Sequence, residues 1–216
     1  MRPIISIVGK SESGKTTLLE SLIKELKQRG YKIAVIKHAH GGFELDKKSK
    51  DSWRFIQAGT DVVGVSSPTQ VAVIKQLERD LEPWELSYFI RWDYDLLITE
   101  GFKRSSSPMI EVHRKDQGKD LVAPPRQLLA VVTDEPLDVD VPQFSKEDIR
   151  GLADLIEKHV QEKQKGEDVE LYINDEHIPL NPFVKSLITN TLVGMVESLK
   201  KVGEVNNLHI SLRRKH

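Results

Sequence analysis

The segment from Gly9 to Thr17 has the residue types and the spacing needed to bind phosphate. It reads Gly-Lys-Ser-Glu-Ser-Gly-Lys-Thr-Thr. Two glycines let the backbone turn tightly and bring its N–H groups close to an anion. Lys15 places a positive charge on the β- and γ-phosphates, and the Thr16 hydroxyl is a ligand for a bridging Mg²⁺. The predicted binding residues are Gly9, Lys10, Ser11, Ser13, Gly14, Lys15, Thr16 and Thr17.

The segment matches the P-loop pattern G-x-x-x-x-G-K-[ST] at every fixed position. Residues 4–8 read Ile-Ile-Ser-Ile-Val, which predicts a buried strand of a parallel sheet. Apolar residues then recur at helical spacing as far as Gly30, which is well placed to end a helix, and residues 32–37 predict a second strand. This order of elements predicts a nucleoside triphosphate site with magnesium.

Glu100 is predicted to complete that site. It ends the apolar run from Asp95 and is followed by Gly101. A carboxylate at the carboxyl end of such a strand completes the magnesium shell or orients water. Asp95 begins the same strand and, at about 3.3 Å per residue, lies at the other end of the sheet. Glu100 and Lys15 are therefore the predicted catalytic residues, and Lys103 is either a phosphate ligand or a surface lysine.

The loop after the second strand carries weaker signals. His38 and His40 are two residues apart, and Asp46 follows them. Histidines with carboxylates can bind a metal, although this spacing is not specific. Loops at the carboxyl ends of parallel strands form the ligand crevice, so Asp46 is a predicted magnesium ligand. The alternative is a polar, solvated loop.

Asp134 and Lys10 each admit two interpretations. Asp134 follows an apolar strand, where guanine-specific P-loop proteins place the aspartate that pairs with the base; it is otherwise a turn residue before Pro136. Lys10 resembles the extra lysine that reaches a nucleotide across a dimer in the nitrogenase iron protein and septum-site ATPases. A solvated loop lysine is the interpretation that we favour.

These elements predict an α/β fold with a mostly parallel sheet and helices on both faces. Further strands are expected at residues 62–65, 72–74, 109–114, 128–133 and 139–144. A helix is expected over residues 51–59, with Trp53, Phe55 and Ile56 as buried positions. Another helix is expected to close the domain near Lys158. The P-loop domain thus spans residues 1–160.

The C-terminal residues predict a separate small module. Residues 161–168 are charged and indicate a linker, and residues 169–216 predict a ββαβ arrangement. Asn181-Pro182 is expected to open its helix. Such a small unit buries little surface alone, so we expect it to pack on a neighbour or to dock a partner.

Composition limits the partners. The 216 residues carry 32 Lys+Arg and 33 Asp+Glu, a net charge of −1, which favours neither nucleic acid nor an acidic membrane as partner. Cysteine is absent, so thiolate metal sites and disulfides are excluded. No apolar run approaches the ~20 residues that span a bilayer. We therefore expect a cytoplasmic protein.

Residues 3–160 resemble the molybdopterin-guanine dinucleotide biosynthesis adaptor protein B family. The resemblance rests on the segments Ile7 to Thr17, Ile36 to His38 with Asp46, Asp51-Ser52 with Gln57 to Gly59, and Asp95 to Lys103. It implies a P-loop fold, GTP and Mg²⁺ as ligands, weak GTP hydrolysis and a homodimer. It also implies a role in attaching GMP to molybdopterin, beside the nucleotidyltransferase of molybdenum cofactor synthesis.

Two other functions fit the same loop. One is an ATP-dependent kinase or ligase for a small molecule, with His38, His40 or Asp46 as base. The other is a module that binds phosphate or the pterin pyrophosphate without turnover. Preference for GTP over ATP separates the adaptor from the kinase, and turnover above background excludes the binding module.

Overall fold

The computed structural model describes residues 2–43, 50–90, 94–118, 120–163, 169, 171–173, 176–200, 203–205, 208 and 210. The chain divides into two compact units. One is Ile4–Asp154, and the other comprises Met1–Pro3 and Leu155–His216.

The larger unit is built on a sheet of six parallel strands, which confirms the predicted α/β fold with a mostly parallel sheet. The strands are β1 (Ile4–Val8), β2 (Ile33–Lys37), β5 (Leu96–Glu100), β6 (Met109–Val112), β7 (Leu128–Val132) and β8 (Gln143–Phe144). Their order is β2-β5-β1-β6-β7-β8, so the strand before the P-loop lies inside the sheet. All five residues of β1 are buried, as expected for a strand covered on both faces.

Helices accompany this sheet, and the longest helix that lies wholly within this unit packs on the sheet through an apolar stripe. The helices that begin in this unit are α1 (Lys15–Gln28), α2 (Asp51–Gln57), α3 (Pro83–Ser87) and α4 (Ile149–Lys163). In α1 the buried residues are Leu18, Leu19, Leu22 and Leu26, the spacing of one helix face. α3 begins with a capping box between Glu82 and Glu85, and its Trp84 packs against the core around Ile4 and Leu97.

A separate antiparallel pair accounts for two of the predicted strands. β3 (Val62–Ser66) pairs with β4 (Val71–Lys75), and among the described residues this pair forms its own two-stranded sheet. Helix α2 contacts β3. The prediction of a buried Phe55 was wrong, because its side chain is 56% exposed. This two-turn helix lies beside the small hairpin, and Trp53 and Ile56 are only half-buried.

The smaller unit contains an antiparallel pair, β9 (Leu171–Ile173) and β10 (Glu176–Ile178), followed by α5 (Pro182–Glu197). Asn181 caps α5, since its Oδ1 accepts a hydrogen bond from Val184 N at 2.9 Å. α4 continues to Lys163, beyond its predicted end near Lys158, so residues 161–163 of the predicted linker are helical. Of the predicted last strand, residues 208 and 210 are not in a strand and the others lie outside the described residues.

Within the described part of the chain, no helix is long and apolar enough to cross a membrane.

Candidate functional site

The P-loop connects β1 to α1, and its two glycines adopt conformations that other residues rarely take. Gly9 has φ 148° and Gly14 has φ 93°. A Cβ on Gly9 would overlap the carbonyl oxygen of Val112 and lie 2.7 Å from Ser13 Oγ. The loop can therefore pass this close to β6 only with glycine at position 9. It leads directly into the N-terminus of α1, where backbone N–H groups are available to an anion.

Lys15 begins α1 with its ammonium directed back into the loop. Its Nζ donates a hydrogen bond to the carbonyl oxygen of Lys10 at 2.6 Å. Burial lowers the pKa of Lys15 below its ordinary value, and the charges of Lys103 and Lys37 lower it further, whereas Glu100 opposes the shift. The Lys15 ammonium therefore lies in the field of two other lysines and one carboxylate, and an anion bound beside it would favour its charged form.

Thr16 and Glu100 meet at the carboxyl ends of β1 and β5. Thr16 Oγ1 donates to Glu100 Oε1 at 3.0 Å and to Oε2 at 3.2 Å. Lys37 Nζ, at the end of β2, is 3.7 Å from Glu100 Oε1. Two adjacent oxygens in an octahedral Mg²⁺ shell are about 2.9 Å apart, since Mg–O bonds are about 2.0–2.1 Å long. The hydroxyl and the carboxylate therefore fit neighbouring positions around one magnesium ion.

Asp95 lies at the opposite end of β5, as its spacing from Glu100 predicted. Its Oδ2 accepts a hydrogen bond from the backbone N–H of Lys32 at 2.8 Å. The carboxylate therefore fixes the entry into β2 on the side of the sheet away from the loop.

A segment after β6 supports the P-loop, and sequence reasoning missed its role. Arg114 Nε donates to the carbonyl oxygen of Ser13 at 3.0 Å, and Gln117 Nε2 donates to that of Ser11 at 2.7 Å. Lys10 Nζ in turn donates to the carbonyl oxygen of Gln117 at 2.5 Å. Arg114 lies just after the end of β6, as Gly101 lies just after the end of β5. Its position after a strand end could therefore have predicted that it lies near the P-loop. Lys10 contacts its own chain here rather than solvent alone.

Asp134 contacts the segment after β6 that supports the P-loop. Its Oδ1 accepts a hydrogen bond from Lys115 N at 2.9 Å, and its Oδ2 is 3.7 Å from Arg114 Nη1. The Lys115 N–H is the main cause that lowers the pKa of Asp134, and Arg114 adds to it. Asp134 thus stays ionised and aligns the guanidinium that holds Ser13.

A cleft of about 210 Å³ opens beside the loop. Its walls come from the start of α1, from the ends of β6 and β7, and from the segment before α4. The lining residues are Gly14, Thr17, Leu18, Ser21, Val112, Arg114, Val132, Lys146 and Glu147. The cleft combines apolar walls with charged groups next to the start of α1.

The other predicted site residues lie in the loop, in the cleft and beyond β2. Ser13 is buried, and its hydroxyl has no hydrogen-bond partner among the described residues. Thr17 lines the cleft. His38 and His40 lie beyond β2 beside Asp80. Asp46, the third predicted magnesium ligand, lies outside the described residues.

Sequence comparison identifies related proteins. Residues 4–134 match the family model of molybdopterin guanine dinucleotide synthesis protein B. The molybdopterin-guanine dinucleotide biosynthesis adapter protein of Haemophilus influenzae is 39% identical over 72% of this chain and 88% of its own. A putative adapter protein of the same kind from Methanocaldococcus jannaschii is 26% identical over 97% of both chains. The alignment with this archaeal relative extends over the C-terminal residues as well.

Solved structures of related proteins are also similar to this chain. The crystal structure of a molybdopterin-guanine biosynthesis protein B is 32% identical, covers 73% of this chain and 99% of its own, and has a TM-score of 0.52. MobB from Bacillus subtilis is 25% identical, covers 72% and 96%, and has a TM-score of 0.59.

Proposed function

Because the chain belongs to the molybdopterin guanine dinucleotide synthesis protein B family and is an adapter of that biosynthesis, we propose that it binds GTP with Mg²⁺ at its P-loop. In this proposal it supports the attachment of GMP to molybdopterin by a nucleotidyltransferase. It hydrolyses GTP only weakly, and it acts as a homodimer.

One arrangement carries the nucleotide part of the proposal. The Thr16 hydroxyl and the Glu100 carboxylate meet at 3.0 Å beside Lys15, at the start of α1. Thr16 and Glu100 would hold the magnesium ion, and Lys15 with the loop N–H groups would hold the β- and γ-phosphates. The ion supplies charge neutralisation between phosphate oxygens. The positive charges of Lys15, Lys37 and Lys103 would attract the phosphates.

Guanine preference is assigned to the cleft and to Asp134. A carboxylate can accept two hydrogen bonds from N1 and N2 of guanine, and adenine cannot donate them. In support, Asp134 stays ionised and lies within 3.7 Å of Arg114, which lines the cleft. Glu147 is a second carboxylate that lines the cleft itself. Substitution of each in turn distinguishes the two.

The position of Arg114 supports the proposal of weak hydrolysis. A catalytic arginine must reach the γ-phosphate in the transition state. The Arg114 guanidinium instead donates to Ser13 O at 3.0 Å and lies beside Asp134. Its charge is used to hold the loop, so turnover in the absence of a partner would be slow. This property suits a protein that presents GTP to another enzyme.

The β3–β4 hairpin supports a homodimer. On one of its faces, Val62, Val71 and Val73 have side chains that are 47%, 52% and 59% exposed. In the described part of the chain β3 and β4 pair only with each other, so each strand has an open edge. An exposed apolar face with open edges is suited to a second copy of the same hairpin.

Titration calorimetry with GTP and ATP, each with and without Mg²⁺, tests the proposal. Tight magnesium-dependent binding of GTP, with weak binding of ATP, is expected. Asp134→Asn should reduce GTP affinity more than ATP affinity, because loss of the Arg114 alignment affects both nucleotides and loss of the base contact affects GTP alone. Glu147→Gln should change neither. A preference for ATP would favour a kinase or ligase, and the absence of nucleotide binding would refute the assignment.

A further inference from the structure

His38, His40 and Asp80 form a cluster of metal-ligating side chains beside the P-loop site. Each offers one ligand atom, and these atoms lie within 4.8 Å of one another. His38 Nε2 is 3.1 Å and 3.2 Å from the two carboxylate oxygens of Asp80. Ligand atoms in a tetrahedral zinc shell are about 3.3 Å apart, since the bonds are about 2.0–2.2 Å long. The His38–Asp80 pair therefore already has the spacing of two ligands in such a shell, and the His40 ligand atom lies within 4.8 Å of both.

The ring of His38 is held on two sides. It stacks on Phe102 with 4.5 Å between ring centroids, and it meets the His40 ring edge-on at 4.2 Å. A Cβ on Gly101 would lie only 3.1 Å from His38 Cβ, so glycine makes room for this packing. A ligand whose orientation is already fixed loses little freedom when an ion binds.

His38 also has an unsatisfied atom. Its Nδ1 is buried and has no hydrogen-bond partner among the described residues. Buried polar atoms in folded proteins nearly always have a partner. The two nitrogens of an imidazole point in different directions, so an ion bound at Nε2 beside Asp80 would leave Nδ1 to a separate water molecule.

Asp80 is positioned from outside the cluster. Arg79 Nη1 donates to the carbonyl oxygen of Asp80 at 3.0 Å and to Glu85 Oε2 at 2.9 Å. Glu85 also accepts from the backbone N–H of Glu82, at the start of α3. The backbone at Asp80 is thus tied to a helix, and its carboxylate is directed to a histidine that precedes it by 42 residues.

We propose that His38, His40 and Asp80 bind a divalent transition metal ion, with Zn²⁺ as the best match. Imidazole nitrogens favour zinc over Mg²⁺ or Ca²⁺, which prefer oxygen. Three protein ligands leave one position for water or for an oxygen of another ligand. His40 and Asp80 are exposed, so an ion can enter. The inference does not depend on GTP binding.

This ion would be separate from the magnesium ion, although it lies close to it. The backbone N–H of His38 donates to the carbonyl oxygen of Glu100 at 2.9 Å, because β2 and β5 are neighbouring strands. Glu100 faces Thr16, whereas His38 faces Asp80. Two ions of different ligand preference would thus bind on adjacent strand ends.

The test is a titration of the full chain with Co²⁺ in the absence of nucleotide. Co²⁺ bound to imidazoles in a four-coordinate site gives strong visible absorption, which oxygen-only octahedral binding does not. We expect one ion per chain, displaced by Zn²⁺ and not by excess Mg²⁺. Asp80→Asn and His40→Gln should each weaken binding at least tenfold.

Two controls make the result decisive. Glu78→Gln removes an exposed carboxylate two positions from Asp80 and should leave Co²⁺ affinity unchanged. Glu100→Gln should also leave it unchanged, and loss of binding in that variant would transfer the ion to the P-loop site and overturn the proposal. Absence of visible bands in the wild-type chain, or equal affinity in Asp80→Asn and Glu78→Gln, would overturn it as well.

Discussion

The hydroxyl of Thr16 lies 3.0 Å from one carboxylate oxygen of Glu100 and 3.2 Å from the other, across 84 residues of chain. β1 and β5 are paired in parallel, with Ile7 opposite Glu100. The loop after β1 and the end of β5 therefore open on the same edge of the sheet. In the proposed function, this hydroxyl and this carboxylate would be two neighbouring ligands of the magnesium ion.

Thr16→Ala is expected to remove most of the magnesium dependence of GTP binding, because the hydroxyl ligand is lost. Thr16→Ser keeps the hydroxyl and should restore it. Glu100→Gln should weaken the magnesium dependence more than the affinity for the nucleotide itself. Calorimetry with and without Mg²⁺ measures both, with Glu20→Gln on the exposed side of α1 as control. Normal magnesium dependence in Glu100→Gln would move the role to another carboxylate.

Gly9→Ala is expected to destabilise the fold by roughly 1–3 kcal/mol and to abolish GTP binding. The new Cβ would overlap the Val112 carbonyl, and alanine is strained at a φ of 148°. Gly194→Ala is the control, since a Cβ there also meets nothing within 4 Å. Urea unfolding measures both variants. Equal stability would show that the loop accepts a side chain at position 9.

Binding of GTP is expected to take up protons in the alkaline range below 10.5. Burial lowers the pKa of Lys15 from 10.5 in the free protein, so part of the population is neutral there. Bound phosphates favour the charged ammonium and raise this pKa, and the lysine then binds a proton. Calorimetry in two buffers of different ionisation enthalpy measures the uptake.

The lowered pKa of Lys15 also makes the free energy of unfolding depend on pH. The direction is opposite to that of a lysine whose pKa is raised by an ion-pair partner. The unfolded chain binds the Lys15 proton more tightly, so stability rises with pH between the lowered pKa and 10.5. Lys15→Arg should lose both the proton uptake and this gain, because arginine stays charged. Lys24→Arg, on the exposed side of α1, should keep them. Undiminished proton uptake in Lys15→Arg would assign it to another group.

Arg114→Ala is expected to weaken GTP binding about tenfold, equivalent to about 1.4 kcal/mol, through loss of a charged hydrogen bond to the loop. Its guanidinium donates to Ser13 O at 3.0 Å. Arg126→Ala removes the same charge from an exposed position nearby in sequence. If both variants bind GTP equally, the brace between Arg114 and the loop is irrelevant to the nucleotide.

Val73→Asp is expected to raise the dimer dissociation constant at least about tenfold, because it places a charge in an apolar contact. Thr69→Asp adds the same charge at the turn of the same hairpin and should leave the dimer intact. Sedimentation velocity over a concentration series measures both. A dimer that persists unchanged in Val73→Asp would place the interface elsewhere.

The sequence by itself determined the conformation of the loop between β1 and α1, because its requirements are local. Gly9, Gly14, Lys15 and Thr16 are contiguous, and the backbone conformation that they adopt depends on glycine and on the start of a helix. Glu100 was equally predictable, since the carboxyl ends of parallel strands share one edge of a sheet. The β1–α1–β2 order and the parallel sheet follow from the same local patterns.

Tertiary structure alone decided which distant residues meet near the ends of the strands. Arg114 reaches Ser13 and Asp80 reaches His38 across 101 and 42 residues, respectively. These contacts depend on the strand order β2-β5-β1-β6-β7-β8 and on where α3 begins. Periodicity reports which face of an element is apolar, but it does not report which strand lies next to it. Pairings between loops from different strands are therefore set by the sheet and not by any segment of the sequence.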